Sequence, residues 1–136
     1  DFTDLGYSTT AYANITDLND AANALVSHLE SKNTDVVVVE IADGLFQRET
    51  AALLDPSSSF SARIDAVLLA AADSMGASAG VDWLRERNLP LRAVSGLLTA
   101  STLGSREAQL ATGVEVIASK LLADPTHASR IALSLR

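Results

Sequence analysis

The chain contains no cysteine in its 136 residues. This absence excludes a disulfide framework, a thiolate metal site and a cysteine nucleophile, and it fits a reducing compartment. Long apolar runs are also lacking, since none approaches the roughly 20 residues that a membrane helix needs, and no signal-peptide pattern is visible. We therefore expect a cytoplasmic protein without membrane association.

Positive charge is scarce as well. Ten Lys and Arg residues face 17 Asp and Glu residues, which gives a formal net charge of −7 and a pI of about 4.6. Such a surface repels phosphate backbones, so we expect no nucleic-acid partner. The length fits one domain over residues 1–136 that can bury its own core. The chain begins with Asp1 rather than methionine. We expect this of a processed chain or of one that starts inside a longer protein.

Four segments carry β-strand patterns. The strongest, residues 35–41, holds four successive valines without polar alternation, which is typical of a central parallel strand buried on both faces. Similar but weaker runs occupy residues 66–70, 91–98 and 114–117.

Helical patterns separate these runs. An apolar stripe from Leu18 to Leu29 predicts a helix with Thr16 as its N-cap, and Ser74 is expected to cap a second helix. Gly113 is expected to end a third helix and Pro125 to open the last, whose apolar stripe includes Leu135. Alternating strands and helices predict an α/β, three-layer Rossmann-like domain with a mostly parallel sheet of about four strands and flanking helices.

Ligands of open parallel sheets bind beyond the carboxyl ends of the strands. Glu40 and Asp43 follow the first predicted strand, and carboxylate oxygens of this kind suit Mg²⁺. The third predicted strand runs through Ser95 to Thr99, so hydroxyl groups are expected at the same edge. Asp73 follows the second, where we interpret it as a helix cap.

The segment after Asp43 is rich in functional side chains. Gly44 permits a tight turn or a close approach of the backbone to a ligand. Gln47 could orient a water molecule, and Arg48 could bind a phosphate or a carboxylate through two hydrogen bonds. Alternatively, Arg48 and Glu49 are ordinary solvated charges at the start of a helix.

The valine run with Glu40 and Gly44 resembles the Walker-B-region strand of dethiobiotin-synthetase-like P-loop NTPases. The wider pattern is similar to an uncharacterised bacterial group of that superfamily, and it comprises Asp4-Leu5-Gly6 with Ser8-Thr9, Glu40-Ile41-Ala42-Asp43-Gly44, Gln47-Arg48-Glu49-Thr50 and Val94-Ser95-Gly96-Leu97-Leu98-Thr99. The resemblance implies ATP and Mg²⁺ as cofactors and Glu40 as the Mg²⁺-associated acid. It also implies that Asp4 lies near the metal or the attacking water, and that Ser95 and Thr99 lie near the nucleotide base or the far rim of the sheet.

One element of that superfamily is absent from the sequence. No G-x-x-x-x-G-K-[ST] loop occurs, so the phosphates lack their cradle of backbone N–H groups and their lysine. The resemblance therefore implies a missing N-terminal segment with the first strand, the loop and its helix. We expect this chain alone to be catalytically incomplete.

Three hypotheses on function remain open. The first is a partial chain of an ATP- and Mg²⁺-dependent enzyme of ligase or kinase type, acting on an unknown small molecule. The second is a non-catalytic Rossmann-like binding or oligomerisation module, for which a homodimer is expected because short strands leave open sheet edges. The third is a phosphoacceptor domain that uses Asp43 or Asp73.

Overall fold

The computed structural model describes residues 1–11 and 13–134, except for the side chain of Leu133. Leu135, which the sequence places on the apolar stripe of the last helix, lies outside these residues. The chain divides into two compact units, Asp1–Arg63 and Ile64–Arg136. Within the described ranges, no helix combines the length and the apolar character needed to cross a bilayer.

The first unit is helical. It contains a 3-10 helix at Phe2–Leu5, α1 at Ile15–Glu30, α2 at Arg48–Leu53 and a 3-10 turn at Ser61–Arg63. The N-cap of α1 is Asn14, not Thr16 as predicted: the Asn14 side chain accepts a hydrogen bond from the Thr16 N–H at 3.0 Å. Asparagine is among the strongest caps, so the helix begins earlier.

Hydrogen bonds tie α1 to the segment that ends the first unit. The Asn19 side-chain oxygen accepts from the Ser58 hydroxyl at 3.0 Å and from the Phe60 N–H at 3.2 Å. Arg63 donates to Asn23, to Ser27 and, at 2.6 Å, to the Glu30 carboxylate. These long-range bonds anchor a segment that has little regular structure of its own.

The prediction of a buried strand at residues 35–41 is wrong. Among the described residues this segment pairs with no strand, and Val38 is 85% exposed. The valines have the intrinsic preference for extended structure, but a strand also needs a neighbour to bond its backbone groups. Propensity therefore identified a strand-forming segment without identifying a partner for it.

The second unit is an α/β fold with a parallel sheet. The elements follow in the order β1 (Val67–Ala70), α3 (Ser74–Glu86), β2 (Leu91–Ser95), a 3-10 helix (Leu97–Ala100), α4 (Thr102–Thr112), β3 (Glu115–Val116), α5 (Ser119–Leu122) and α6 (Pro125–Ser134). The strands are parallel in the order β1-β2-β3. The described sheet thus has three strands, not about four, and helices flank it.

Small and branched apolar side chains form the core of this unit. Ala77, Val81 and Leu84 on α3 are fully buried, as are Val94 on β2 and Ala108 on α4. α3 contacts β1 and β2, α4 contacts β3, and the two helices pack on each other. The alanines allow this close approach, while the larger side chains supply most of the buried apolar area.

Local signals explain where the elements of the second unit begin and end. Asp73 caps α3 by accepting from the Gly76 N–H at 2.7 Å, which confirms its interpretation as a cap, whereas Ser74, the predicted cap, is the first residue of the helix. Asn88, with φ 55°, takes the left-handed conformation expected after α3, and Gly113 does so after α4. β2 is shorter than predicted because Gly96, with φ 99°, turns the chain after Ser95.

Candidate functional site

Three hydroxyl groups meet beyond the carboxyl ends of β2 and β3. The Thr99 Oγ1 and Ser119 Oγ atoms lie 3.0 Å apart, and the Ser95 and Ser119 Oγ atoms lie 3.4 Å apart. We call Ser95, Thr99 and Ser119 the hydroxyl cluster. The sequence predicted Ser95 and Thr99 as binding residues at this edge, and the fold brings these two to a common neighbour.

The carbonyl of Gly96 organises the cluster. It accepts hydrogen bonds from Thr99 Oγ1 at 2.8 Å and from Ser119 Oγ at 3.1 Å. The Ser119 N–H in turn donates to Thr99 Oγ1 at 3.1 Å. These bonds fix the turn after β2 against the start of α5, so the cluster is preorganised.

Exposure decides which of the three groups a ligand can reach. Ser95 is 5% exposed, so its hydroxyl lies inside the fold. Thr99 is half-buried, and Ser119 is exposed at the start of α5. A ligand would therefore meet Ser119 and the edge of Thr99, with Ser95 beneath them.

Helices α3 and α4 begin shortly after the carboxyl ends of β1 and β2. Asp73 caps α3 after β1, and Ser101 caps α4 by accepting from the Gly104 N–H at 3.3 Å. These side chains satisfy backbone N–H groups that would otherwise face solvent. The described carboxyl edge thus offers neutral hydroxyls and one carboxylate, a set suited to hydroxyl and amide groups of a ligand.

The predicted site residues of the first unit are on its surface. Asp4 is exposed in the first 3-10 helix, where its carboxylate accepts from the nitrogen of Asp1 in a capping box. Glu40 is exposed and makes no hydrogen bond or ion pair with any described residue. Asp4 therefore has a local capping role, whereas Glu40 is a carboxylate without a described partner.

Asp43 and Gln47 face each other across a turn. With the Gln47 amide nitrogen directed toward Asp43, that nitrogen lies 3.0 and 3.2 Å from the two carboxylate oxygens. The Gln47 N–H also donates to the Gly44 carbonyl at 3.0 Å. Gly44 has open space where a side chain would stand.

Arg48 and Glu49 behave differently from each other. Arg48 is exposed and, within the described part of the chain, its guanidinium makes no hydrogen bond or ion pair. Glu49 is only 8% exposed. The interpretation of both as solvated charges at a helix start is therefore wrong for Glu49, because the inward face of α2 carries it into the first unit.

The described carboxylates do not assemble into a complete metal site. No group of three or more His, Cys, Asp or Glu side chains comes together among residues 1–11 and 13–134. Mg²⁺ in nucleotide sites often takes one or two carboxylates and completes its shell with phosphate and water. Glu40 and Asp43 have the donor chemistry for that role, and the other ligands would have to come from elsewhere.

Ser119 is the member of the cluster that sequence reasoning missed. It comes three residues after β3, so the rule that ligands bind beyond strand ends applies to it as much as to Ser95. Residues 114–117 were predicted as a strand, but the hydroxyl that follows this strand was not predicted as part of the site.

Comparisons of the chain with protein-family models, with curated proteins and with solved structures gave no match. The resemblance to P-loop NTPases consequently rests on the motifs quoted above.

Proposed function

We propose that the chain is part of an ATP- and Mg²⁺-dependent nucleotide-binding protein of P-loop NTPase type, and that its second unit contacts the nucleoside. The observation that supports this is the hydroxyl cluster beyond the carboxyl ends of two parallel strands. Open parallel sheets bind their ligands at that edge.

The chemistry of the cluster favours the nucleoside over the phosphates. Hydroxyl groups both donate and accept, as ribose hydroxyls and base edges require. Phosphates need a loop of backbone N–H groups and a lysine, and the sequence contains no such loop. The net charge of −7 also disfavours phosphate binding by this chain alone.

Residues of the first unit are assigned to the metal and the reaction. Glu40 and Asp43 would supply carboxylate oxygens to Mg²⁺, whose remaining ligands would be phosphate and water. Arg48 would bind a phosphate or carboxylate with its guanidinium, which no described residue engages. Gln47 and Asp4 would orient the attacking water, while Gly44 would let a ligand approach the backbone.

An NMR titration with adenosine tests the nucleoside contact. We expect shifts confined to the amides around Ser95, Thr99 and Ser119. Thr99→Val and Ser119→Ala should each weaken adenosine binding by about fivefold, which corresponds to one lost hydrogen bond. Ser129→Ala, which removes an exposed hydroxyl on α6, is the matched control. Shifts elsewhere, or equal affinities for all three variants, would contradict the assignment.

A second titration tests the metal assignment separately. Mg²⁺ added without nucleotide should shift the amides around Glu40 in the wild-type chain, and Glu40→Gln should abolish these shifts while adenosine binding is retained. The substitution keeps the size of the side chain and removes its charge. An unchanged Mg²⁺ effect in Glu40→Gln would overturn the role of Glu40 without affecting the nucleoside contact.

A further inference from the structure

We propose that α4 carries a self-association surface whose partner is a second copy of this chain. The inward face of α4 is made of small residues, with Ala108 and Thr112 buried. Its two leucines point outward instead: Leu103 is 72% exposed and Leu110 is 83% exposed. The largest apolar groups of the helix thus lie on the side that faces away from its own core.

The two leucines form one stripe along the helix. Successive helical residues turn by about 100°, so Leu110 lies about 20° around the helix from Leu103 and about 10 Å further along it. A spacing of seven residues is the repeat by which helices pack side by side in a coiled coil. The stripe therefore suits another helix running alongside α4.

Two charges of opposite sign flank this stripe. On the same helical geometry, Arg106 lies about 60° to one side of Leu103 and Glu107 about 40° to the other. Neither side chain makes an ion pair with any described residue. Arg106 and Glu107 are neighbours in sequence, so they stand at nearly the same height between the two leucines.

Symmetry determines how a second copy would dock. A two-fold axis parallel to α4 brings Arg106 of each copy against Glu107 of the other, with Leu103 on Leu103 and Leu110 on Leu110. An axis perpendicular to the helix pair makes it antiparallel and instead opposes Arg106 to Arg106 and Glu107 to Glu107. Like charges in contact are unfavourable, so the charges select the parallel pair.

The same pattern favours a second copy over an unrelated partner. A surface with one positive and one negative flank is complementary to itself after a two-fold rotation. A groove beside the Arg106 flank, lined by Ser105, Gln109 and Val116, extends the contact beyond the leucines. The stripe by itself is small compared with about 800 Å² per partner in a stable complex, so the dimer is a weak one.

Reversing single charges in the full chain tests the proposal. Dimer dissociation is measured by sedimentation velocity over a concentration series. Arg106→Glu and Glu107→Arg should each weaken the dimer by about tenfold, because two attractive pairs become repulsive. The double variant should restore the wild-type dissociation constant. Arg130→Glu, an exposed charge change on α6, should have no effect. A monomer at all concentrations, or no rescue in the double variant, would overturn the proposal.

Disulfide trapping tests the orientation of the two helices. The chain has no cysteine of its own, so one introduced thiol can pair only with its copy. Leu103→Cys and Leu110→Cys should each give a covalent dimer on mild oxidation, because the parallel pair brings equivalent Cα atoms within disulfide range. In an antiparallel pair these positions are about 10 Å apart along the axis. A covalent dimer that forms only when the two variants are mixed would overturn the parallel arrangement.

Discussion

A Cβ atom placed on Gly96 would lie 2.6 Å from the carbonyl oxygen of Ala71 and 2.7 Å from its nitrogen. The turn after β2 thus packs directly on the backbone that follows β1. Ala71 N–H donates to the Ser95 carbonyl at 3.0 Å, and Leu98 N–H donates to the Ala71 carbonyl at 3.2 Å. This contact sets the position of the hydroxyl cluster, because the Gly96 carbonyl holds Thr99 and Ser119.

Gly96→Ala should destabilise the second unit by about 3 kcal/mol, since it adds a backbone clash to a left-handed φ. Gly113→Ala is the matched control, because Gly113 also has a positive φ but open space around it. Backbone strain alone should lower the free energy of unfolding of Gly113→Ala by about 1 kcal/mol. Urea unfolding followed by the fluorescence of Trp83 measures both, and equal losses would show that the contact with Ala71 is unimportant.

Asn19→Leu should loosen the segment that ends the first unit. Asn19 accepts from Ser58 and Phe60 and donates to Ser59 at 3.0 Å, so its loss should lower local stability by about 2 kcal/mol. Amide hydrogen exchange at Phe60 should accelerate accordingly. Asn19→Asp keeps the acceptor and removes the donor, and it should have the smaller effect; the reverse order would contradict this account.

Gln109 protects one backbone group of the terminal strand of the described sheet. Its side-chain oxygen accepts from the Val116 N–H at 3.1 Å, while the next amide, Ile117, donates across the ladder to Val94 at 2.9 Å. Gln109→Ala should therefore accelerate amide exchange at Val116 and leave Ile117 nearly unchanged. Equal acceleration at both amides would mean that the substitution opens the whole strand.

The start of α6 should depend on pH. The backbone N–H of His127 donates to the Asp124 carboxylate at 3.0 Å, and this bond, with that from the His127 ring at 3.1 Å, holds the pKa of Asp124 below its ordinary value. The carboxylate therefore stabilises the helix start fully above the ordinary aspartate pKa. That contribution is lost as the pH falls through the lower folded-state value.

NMR titration of the Thr126 and His127 amides measures this change. In the wild-type chain both amides should shift at acid pH as Asp124 takes up a proton. Asp124→Asn retains a neutral cap that does not titrate, so the acid transition should vanish from these two amides. A transition that persists unchanged in the variant would assign it to another group.

The sequence predicted the second unit better than the first for a physical reason. The strands at Val67–Ala70 and Leu91–Ser95 come with helices whose caps and stops are local, such as Asp73 and Gly113, and they pair with each other. Residues 35–41 have the strongest strand preference, yet pairing is a long-range property that local preference does not contain. Burial of Glu49 was missed for the same reason.

The candidate site was predictable where topology alone determines it. Ser95 ends β2 and Thr99 follows it, and a parallel sheet gathers strand ends at one edge. The bonds through the Gly96 carbonyl depend on a left-handed turn, and sequence pattern gave no sign of them. The exposed leucines of α4 were likewise hidden, because composition does not show which face of a helix meets the core.

The exposed valines Val36, Val38 and Val39 have a consequence for the protein in concentrated solution. A run of β-branched residues without glycine or proline is the kind of segment that stacks into cross-β fibrils. Asp35 and Glu40 stand at its two ends, where charges act as gatekeepers against such stacking. Replacing both gatekeepers, as in Asp35→Asn with Glu40→Gln, would leave the valine run without flanking charge, so fibril formation would then limit the lifetime of the dissolved chain.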